Sequence, residues 1–160
     1  MIKILFICHG NICRSPMSEF IFKDMIHRHH LDDQFYIASA ATSTEEIYRG
    51  VGNPVYPPAR AELAKHGISC EGKRAVQLTK QDYEDYDYLI AMDSMNVRNM
   101  RPIVGEDTKH KIYKLLNFSS RPGADIADPW YTGNFRTTYS DVEEGCEGLL
   151  AFCLEKESCL

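Results

Sequence analysis

A cysteine and an arginine six residues apart stand out near the start of the chain, in the stretch ILFICHGNICRSP. An apolar run ends at Cys8, a short loop with Gly10 and Asn11 follows, and Arg14 precedes a predicted helix. Glycine and asparagine tolerate positive φ, so these two residues would let successive backbone amides turn inward. A helix N-terminus favours anions, and arginine adds a planar, permanently charged fork. The pattern therefore predicts a cradle for a tetrahedral dianion.

Cys8 would lie at the base of this cradle. Backbone amides at a helix N-terminus and a nearby arginine stabilise a thiolate, which is the nucleophilic form of cysteine. Ser15 can donate a hydrogen bond to that thiolate, so the arrangement suits attack on phosphorus. The alternative is a cysteine that serves only as a small apolar residue at the end of a strand. The strand before the loop and the helix after it favour the functional interpretation.

Attack on a phosphoester also requires an acid that protonates the leaving oxygen. Asp128 is the candidate, because its loop follows a predicted strand and such loops converge at the carboxyl ends of a parallel sheet. Trp130 and Tyr131, which follow closely, would form aromatic walls for a ring-bearing substrate. Without the cysteine loop, Asp128 would be interpreted as a turn residue, since Asp-Pro favours turns.

The pattern of apolar residues predicts strands and helices in alternation. Residues 2–7 form a continuous apolar run, which is typical of a strand buried on both faces. Further strands are predicted at 35–40, 87–92 and 112–116, and helices at 15–30, 57–66, 94–100 and 135–156, with a long loop at 41–56. Strands separated by helices imply right-handed crossovers. We therefore expect an α/β fold, a small four-stranded parallel sheet of flavodoxin-like type with helices on both faces.

Length, composition and charge restrict the class of protein. The 160 residues, 44% of them apolar, predict a single domain over 1–160, and the net charge of −5 argues against a nucleic-acid partner. No stretch approaches the ~20 apolar residues of a membrane span. The short apolar N-terminus has no signal-peptide cleavage site, so we expect a cytoplasmic protein.

The chain contains six cysteines, which we expect to be reduced thiols rather than disulfides. Their spacing does not fit a zinc site. No cofactor is expected.

Three stretches of the chain carry a family resemblance. CHGNICRSPMSE resembles the signature of the low molecular weight protein-tyrosine phosphatases, and DPWYTGNF resembles the acid loop of that family. QLTKQDYEDYDYLIAMDSMN, which lies between them, is also similar to a family stretch. The resemblance runs in order over nearly the whole chain. It implies the phosphotyrosine phosphatase I type of fold and a two-step, metal-independent hydrolysis of phosphotyrosine-containing proteins.

The resemblance also implies a role for individual residues. Cys8 matches the nucleophile that forms a phosphocysteine, and Arg14 matches the residue that binds the phosphoryl oxygens. Asp128 matches the acid that protonates the leaving phenolate and then acts as base toward water. Ser15 matches the hydroxyl that stabilises the thiolate, and Asn11 a residue that holds the loop in shape. The other members of the phosphate-binding loop are His9, Gly10, Ile12 and Cys13.

Two features depart from the usual family pattern. The loop TSTEEIYRGVGNPVYPP at 42–58 is longer than is usual. In the family this loop forms one wall of the substrate pocket, for which Tyr48 is the candidate, opposite Trp130 and Tyr131. Many members carry a histidine in a network behind the phosphate-binding loop, and the corresponding position in this chain is Lys73.

Cys13 matches a cysteine that in many members pairs with the nucleophile under oxidation. The resemblance therefore implies a reversible disulfide between Cys8 and Cys13 that shields the nucleophile from further oxidation. The alternative is a buried thiol with no redox role.

Three other functions are compatible with parts of the pattern. Arsenate reductases use the same cradle but need resolving cysteines further along the chain, and residues 71–145 contain none. Protein-arginine phosphatases tend to carry a threonine at the position of Ile12, whose apolar side chain suits a phenyl ring better. A phosphate-binding module without turnover is the non-enzymatic alternative, and the presence of Cys8, Arg14 and Asp128 argues against it.

Overall fold

The structure is a computed structural model that describes residues 1–158. Its strands are β1 (Ile2–Cys8), β2 (Phe35–Ala41), β3 (Ile47–Tyr48), β4 (Val51–Gly52), β5 (Tyr88–Ala91) and β6 (Ile112–Lys114). Its α-helices are α1 (Arg14–Arg28), α2 (Pro57–Ala64), α3 (Lys80–Asp85), α4 (Ser94–Val104), α5 (Pro129–Thr132) and α6 (Phe135–Ser158). Short 3-10 turns cover Asp32–Gln34 and Leu115–Phe118.

Four strands form one parallel sheet in the order β2-β1-β5-β6. The first strand is central, because Ile4 lies opposite Ile37 of β2 on one side and Tyr88 of β5 on the other. Each predicted strand is present, and the predicted α/β fold is confirmed. Since all four strands run in the same direction, the loops that leave β1, β5 and β6 emerge at one edge of the sheet.

Alternate residues of β1 enter two separate hydrophobic cores. Ile4 and Phe6 pack with residues of α1 and α6, including Phe22 and Val142. On the opposite face the core contains residues of β1, β5, α3 and α4, namely Leu5, Ile7, Leu89, Ala91, Tyr83, Met100 and Val104. Helices therefore cover both faces of the sheet, and this burial anchors the end of β1 rigidly. Within residues 1–158, no helix combines the length and apolar character needed to cross a membrane.

Some element boundaries differ from the sequence prediction. Helix α4 continues beyond residue 100 to Val104 although Pro102 lies inside it. Val104 packs into the second core, and this burial offsets the hydrogen bond that proline cannot donate. The strand predicted at 112–116 ends at Lys114, because a 3-10 turn begins at the next residue. The short helices α3 and α5 were not predicted, although Thr79 begins α3 with a capping box.

The long loop after β2 contains a small hairpin that the sequence did not predict. Strands β3 and β4 pair antiparallel across a turn in which Arg49 and Gly50 have positive φ. The backbone of Gly52 runs so close to Ala75 that a Cβ atom at Gly52 would lie 1.9 Å from the Ala75 carbonyl oxygen. The hairpin is therefore held against the segment that follows α2, beside the loop that leaves β1.

Candidate active site

The loop between β1 and α1 forms the base of the candidate site. Cys8 is the last residue of β1, and α1 begins at Arg14. Asn11 has a φ of 60°, as predicted, whereas Gly10 is not in the positive-φ region. A Cβ atom at Gly10 would lie 3.2 Å from Cγ of Glu46, so glycine at this position makes room for the long loop. Asn11 therefore shapes the loop through its backbone conformation, and Gly10 through the space left by its missing side chain.

A chain of hydrogen bonds behind the loop leads to the sulfur of Cys8. The backbone N–H of Val76 donates to Oδ1 of Asn11 at 3.1 Å, so the amide nitrogen of Asn11 points the other way. That nitrogen donates to Oγ of Ser15 at 2.7 Å and to Oγ of Ser39 at 2.9 Å. The hydroxyl proton of Ser15 is then free to point at Sγ of Cys8, 3.0 Å away. The sulfur of Cys8 is therefore placed to accept the hydrogen bond of the Ser15 hydroxyl.

Arg14 is buried at the other side of the loop. Its Nη1 donates to Oδ2 of Asp93 at 2.6 Å and to the carbonyl oxygen of Ile126 at 2.8 Å. Burial disfavours the guanidinium charge, but the nearby Cys8, Asp93 and Asp128 outweigh it and raise the pKa of Arg14 above its usual range. The arginine is therefore a permanent cation held in one orientation by partners on two other loops.

Asp128 reaches the phosphate-binding loop from the segment that joins the second 3-10 turn to α5. It is the N-cap of α5, and its Oδ1 accepts a hydrogen bond from the backbone N–H of Trp130 at 3.1 Å. Its Oδ2 lies 3.6 Å from Nη2 of Arg14, and the side chain is 29% exposed. One carboxylate oxygen thus positions the residue while the other faces Arg14 and solvent.

A cavity of about 230 Å³ opens above the loop. Most of its lining was predicted from the sequence, namely Cys8, His9, Gly10, Ile12, Cys13, Arg14, Asp128, Trp130 and Tyr131. Glu45 and Glu46 of the long loop complete it. Nε2 of His9 lies 2.9 Å from Oε2 of Glu45, so the long loop is joined to the phosphate-binding loop at the rim. Asn11 and Ser15 lie behind the loop, fully buried, and not in the cavity wall.

The aromatic walls of the cavity differ from the prediction on one side. Trp130 lines the cavity and packs on Tyr56 with ring centroids 4.9 Å apart, and Tyr131 is 85% exposed at the rim. Tyr48 is outside the lining and is 71% exposed. It lies in the hairpin, where its ring packs against the guanidinium of Arg49 at 5.3 Å, so the hairpin turns it away from the cavity. Glu45 and Glu46 take the place predicted for Tyr48.

Cys13 lies directly before α1 and is buried beside Ile12 and Ala75. Burial, together with the charges of Cys8 and Asp128, raises the pKa of its thiol to about 12. At neutral pH Cys13 is therefore protonated, and it does not compete with Cys8 as a nucleophile. Both thiols are free in the structure.

Sequence reasoning missed several residues that hold the site together. Asp93 lies two residues after the end of β5, and its position at the carboxyl end of a parallel strand was a usable signal. It is the N-cap of α4 and also binds Arg14, so one carboxylate has two roles. Ser39 of β2 and Glu19 of α1 gave no local signal, because their roles depend on contacts between distant segments.

Comparison with known proteins assigns the chain to a family. The model of the low molecular weight phosphotyrosine protein phosphatase family matches residues 3–159. The chain belongs to this family. The predicted family is thereby confirmed, and with it the prediction of a cysteine-based, metal-independent protein-tyrosine phosphatase.

Individual family members resemble the chain over nearly its whole length. The low molecular weight protein-tyrosine-phosphatase YfkJ of Bacillus subtilis is 40% identical over 158 residues, which is 98% of each chain. PtpA of Staphylococcus saprophyticus is 35% identical over 97% of this chain and 96% of its own. The crystal structure of YfkJ superposes with a TM-score of 0.90 at 39% identity, over 98% of this chain and 96% of that one. The sequence comparison and the structural comparison therefore indicate the same family.

Proposed function

We propose that Cys8, Arg14 and Asp128 carry out the phosphatase reaction. The thiolate of Cys8 attacks phosphorus, and the bond from phosphorus to the ester oxygen breaks as the phosphorus–sulfur bond forms. Asp128 donates its proton to the departing phenolate oxygen, while Arg14 and the loop amides bind the phosphoryl oxygens. The observation that carries this proposal is that all three side chains line one cavity.

The second step returns the enzyme to its starting state. The Asp128 carboxylate takes a proton from water, and the oxygen of that water attacks the phosphorus of phosphocysteine. The phosphorus–sulfur bond breaks, inorganic phosphate leaves, and Cys8 becomes a thiolate again. Ser15 supports both steps, because its hydroxyl is oriented toward the sulfur and stabilises the leaving thiolate.

The proposed substrates are proteins that carry phosphotyrosine. The phosphate-binding loop is buried below a rim that bears Trp130 and Tyr131, and such aromatic side chains pack well against a phenyl ring. Ile12, 8% exposed, adds an apolar side chain to the lining of the cavity that contains Cys8, and this side chain gives a phosphorylated guanidinium no hydrogen-bond acceptor. These features support phosphotyrosine over phosphoarginine.

The proposed working form is a single phosphatase domain, residues 1–160, in the cytoplasm. A thiolate nucleophile is oxidised in an oxidising compartment, so a reducing one suits this chemistry. Separation of cell fractions, with activity in the cytosolic fraction, is the direct test of this location.

The test of the reaction compares wild type with Cys8→Ser on three substrates: an aryl phosphate, a phosphotyrosine peptide and the matching phosphoarginine peptide. We expect wild type to release phosphate from the first two, with phosphotyrosine faster than phosphoarginine, and Cys8→Ser to release none. Cys70→Ser is the matched control, because Cys70 is also a buried free cysteine but does not line the cavity. Equal activity in wild type and Cys8→Ser contradicts the proposed nucleophile, and faster phosphoarginine cleavage contradicts the proposed substrate.

A further inference from the structure

A second cavity, of about 520 Å³, lies beside the cavity above the phosphate-binding loop, which we call the catalytic cavity. Ile12 and Glu46 line both cavities, so the two adjoin at the edge of that loop. The ring of Tyr56 in the second cavity packs on the ring of Trp130 in the catalytic cavity, with centroids 4.9 Å apart. A peptide whose phosphate occupies the catalytic cavity can therefore continue into the second one.

The lining of the second cavity comes largely from helix α2 and from the residues before it. Residues 53–56 form the part next to the helix. The helix contributes side chains that lie about one turn apart and so share a face, namely Pro57, Arg60, Ala61 and Ala64. Most of this surface is apolar, and Arg60 is the only cation among the lining residues.

Hydrogen bonds hold the second cavity in shape. The backbone N–H of Tyr56 donates to the carbonyl oxygen of Ile12 at 2.9 Å, which joins the start of α2 to the phosphate-binding loop. The backbone N–H of Asn53 donates to the carbonyl oxygen of Glu46 at 2.8 Å, and its Nδ2 donates to Oε2 of the same residue at 2.7 Å. A surface that is already ordered loses less entropy when a ligand binds.

The charge of Arg60 is not used inside the protein. Its side chain is exposed and has neither a hydrogen-bonding nor an ion-pair partner within residues 1–158. By contrast, the exposed Arg28 and Arg121 each pair with a carboxylate of their own chain. A guanidinium presents a planar fork of donors that fits a carboxylate. Arg60 is therefore available to an acidic side chain of a bound molecule.

The other charges near the two cavities restrict where such an acidic side chain is favoured. Glu45, Glu46 and Asp128 line the catalytic cavity, and the whole chain has a net charge of −5. These charges repel an acidic peptide in general, so only contact with Arg60 offsets the repulsion. A cavity of 520 Å³ is about 8 Å across, the length of roughly two to three extended residues.

We propose that the second cavity binds the substrate segment that flanks the phosphotyrosine, and that Arg60 selects an aspartate or glutamate about two to four residues away from it. The inference rests on the proposed function, because phosphotyrosine must occupy the catalytic cavity. It adds a residue of α2, beyond the long loop at 42–58, to those that decide the substrate. The preferred substrates are therefore phosphotyrosine proteins with an acidic side chain at one defined distance.

The experiment measures the affinity of fluorescein-labelled phosphotyrosine peptides for the Cys8→Ser protein by anisotropy. This variant lacks the nucleophile, so binding is measured without turnover. The flanks of the peptide are alanine, and a single aspartate is moved along both flanks one position at a time. We expect one position, about two to four residues from the phosphotyrosine, to bind about two- to fivefold more tightly than the all-alanine peptide, as an exposed ion pair allows.

Substitutions of Arg60 in the same Cys8→Ser protein identify the contact. Arg60→Gln should remove the preference for aspartate, and Arg60→Glu should replace it with a preference for lysine at that position. Arg98→Gln is the matched control and should keep the preference for aspartate. Arg98 is also exposed and has no ion-pair partner within residues 1–158, but it lies on α4, which packs on the opposite face of the sheet from α2.

The inference is overturned if aspartate improves binding at no position, or equally at every position. It is also overturned if the preference survives in Arg60→Gln or is lost as completely in Arg98→Gln. Turnover of the same peptides by wild type tests the proposed function separately. A wild type that releases no phosphate refutes that function, while an Arg60-dependent preference in Cys8→Ser still supports the subsite. A wild type that hydrolyses the peptides, with equal binding of all of them by Cys8→Ser, refutes the subsite alone.

Discussion

Oδ2 of Asp128 lies 3.6 Å from Nη2 of Arg14. Arg14 is the first residue of α1 and Asp128 is the N-cap of α5, so this approach brings the phosphate-binding loop and the acid loop to one cavity. The distance leaves the two charged groups adjacent without a direct hydrogen bond, while Arg14 is held firmly by Asp93. Asp128 thus lies beside a cation whose own orientation is set by Asp93.

Asp128→Asn should separate the acid from the structural role of this residue. Asparagine can still cap α5, so we expect little loss of stability. Turnover of a phosphotyrosine peptide should fall by about 10²–10⁴-fold, the usual contribution of a general acid. The loss should be much smaller on an aryl phosphate whose phenolate leaves readily without a proton. Steady-state kinetics on both substrates check this.

The control for that variant is Asp141→Asn, a carboxylate of α6 that pairs with Arg121 away from the cavity. It should keep wild-type kinetics on both substrates. An equal loss of Asp128→Asn on both substrates would show that Asp128 does not protonate the leaving group.

Asp93→Asn should lower kcat without raising KM. Asparagine retains the cap of α4 but loses the charged hydrogen bond to Arg14, and such bonds contribute about 1.5–3 kcal/mol, equivalent to roughly 10- to 100-fold in kcat. KM should stay level or fall, because one negative charge near the phosphate dianion is removed. Asp125→Asn is the matched control, since Asp125 pairs with Lys114. An unchanged kcat would argue against orientation of Arg14 by Asp93.

Peroxide should convert Cys8 and Cys13 into a reversible disulfide. The Cys8 thiolate first reduces peroxide and becomes a sulfenic acid, and the Cys13 thiol then displaces water to form the disulfide. The negative charge of Cys8 contributes to the raised pKa of Cys13, so its oxidation makes Cys13 easier to deprotonate. We expect mass spectrometry to find the linked peptides and dithiothreitol to restore activity.

In Cys13→Ala the same peroxide treatment should cause irreversible loss of activity, because Cys8 proceeds to sulfinic acid. If wild type lost activity while both thiols remained open to alkylation, the disulfide would not be the cause.

The folding stability should decline at alkaline pH. Burial raises the pKa of Cys153 from 9.0 to about 12 and that of Tyr139 from 10.0 to about 12. The folded chain therefore retains these protons to higher pH than the unfolded chain does. Their stabilising effect is complete below about pH 9 and is lost as the pH rises toward 12. Urea unfolding at about pH 8 and about pH 11 measures this loss.

Cys153→Ala tests one of these groups directly. The variant should be less stable than wild type at about pH 8, since it leaves a small cavity, but should lose less stability on going to about pH 11. A pH dependence equal to that of wild type would exclude Cys153 as a contributor.

Gly148→Ala should destabilise the fold although alanine is the better helix former. A Cβ atom at this position of α6 would lie 1.8 Å from the carbonyl oxygen of Phe118. The helix would have to move from the 3-10 turn, at a cost of roughly 1–3 kcal/mol, which exceeds the gain in helix propensity. Ser140→Ala, at an exposed position of α6, is the control. Thermal unfolding decides, and a Gly148→Ala variant as stable as wild type contradicts the close packing.

The fold was largely predictable because its signals are local. The unbroken apolar run before Cys8 indicates a strand buried on both faces, and the alternation of strands and helices leaves few topologies. The short helices α3 and α5 escaped prediction, since a single turn presents no hydrophobic period. Helix α4 passes Pro102 because burial outweighs local preference, and local preference is all that a sequence pattern reports.

The sequence by itself determined the loop from Cys8 to Arg14 and the acid loop, since neighbouring residues carry each of them. Only the tertiary structure decided which distant groups support them. Asp93 meets Arg14, and Lys73 meets Glu19, through contacts between segments that are far apart in the chain. Tyr48 turns away from the cavity because the hairpin around it sets the direction of its side chain. Such contacts depend on how the sheet and its loops pack, and a local pattern in the sequence, even where it marks a residue such as Asp93, does not identify its distant partner.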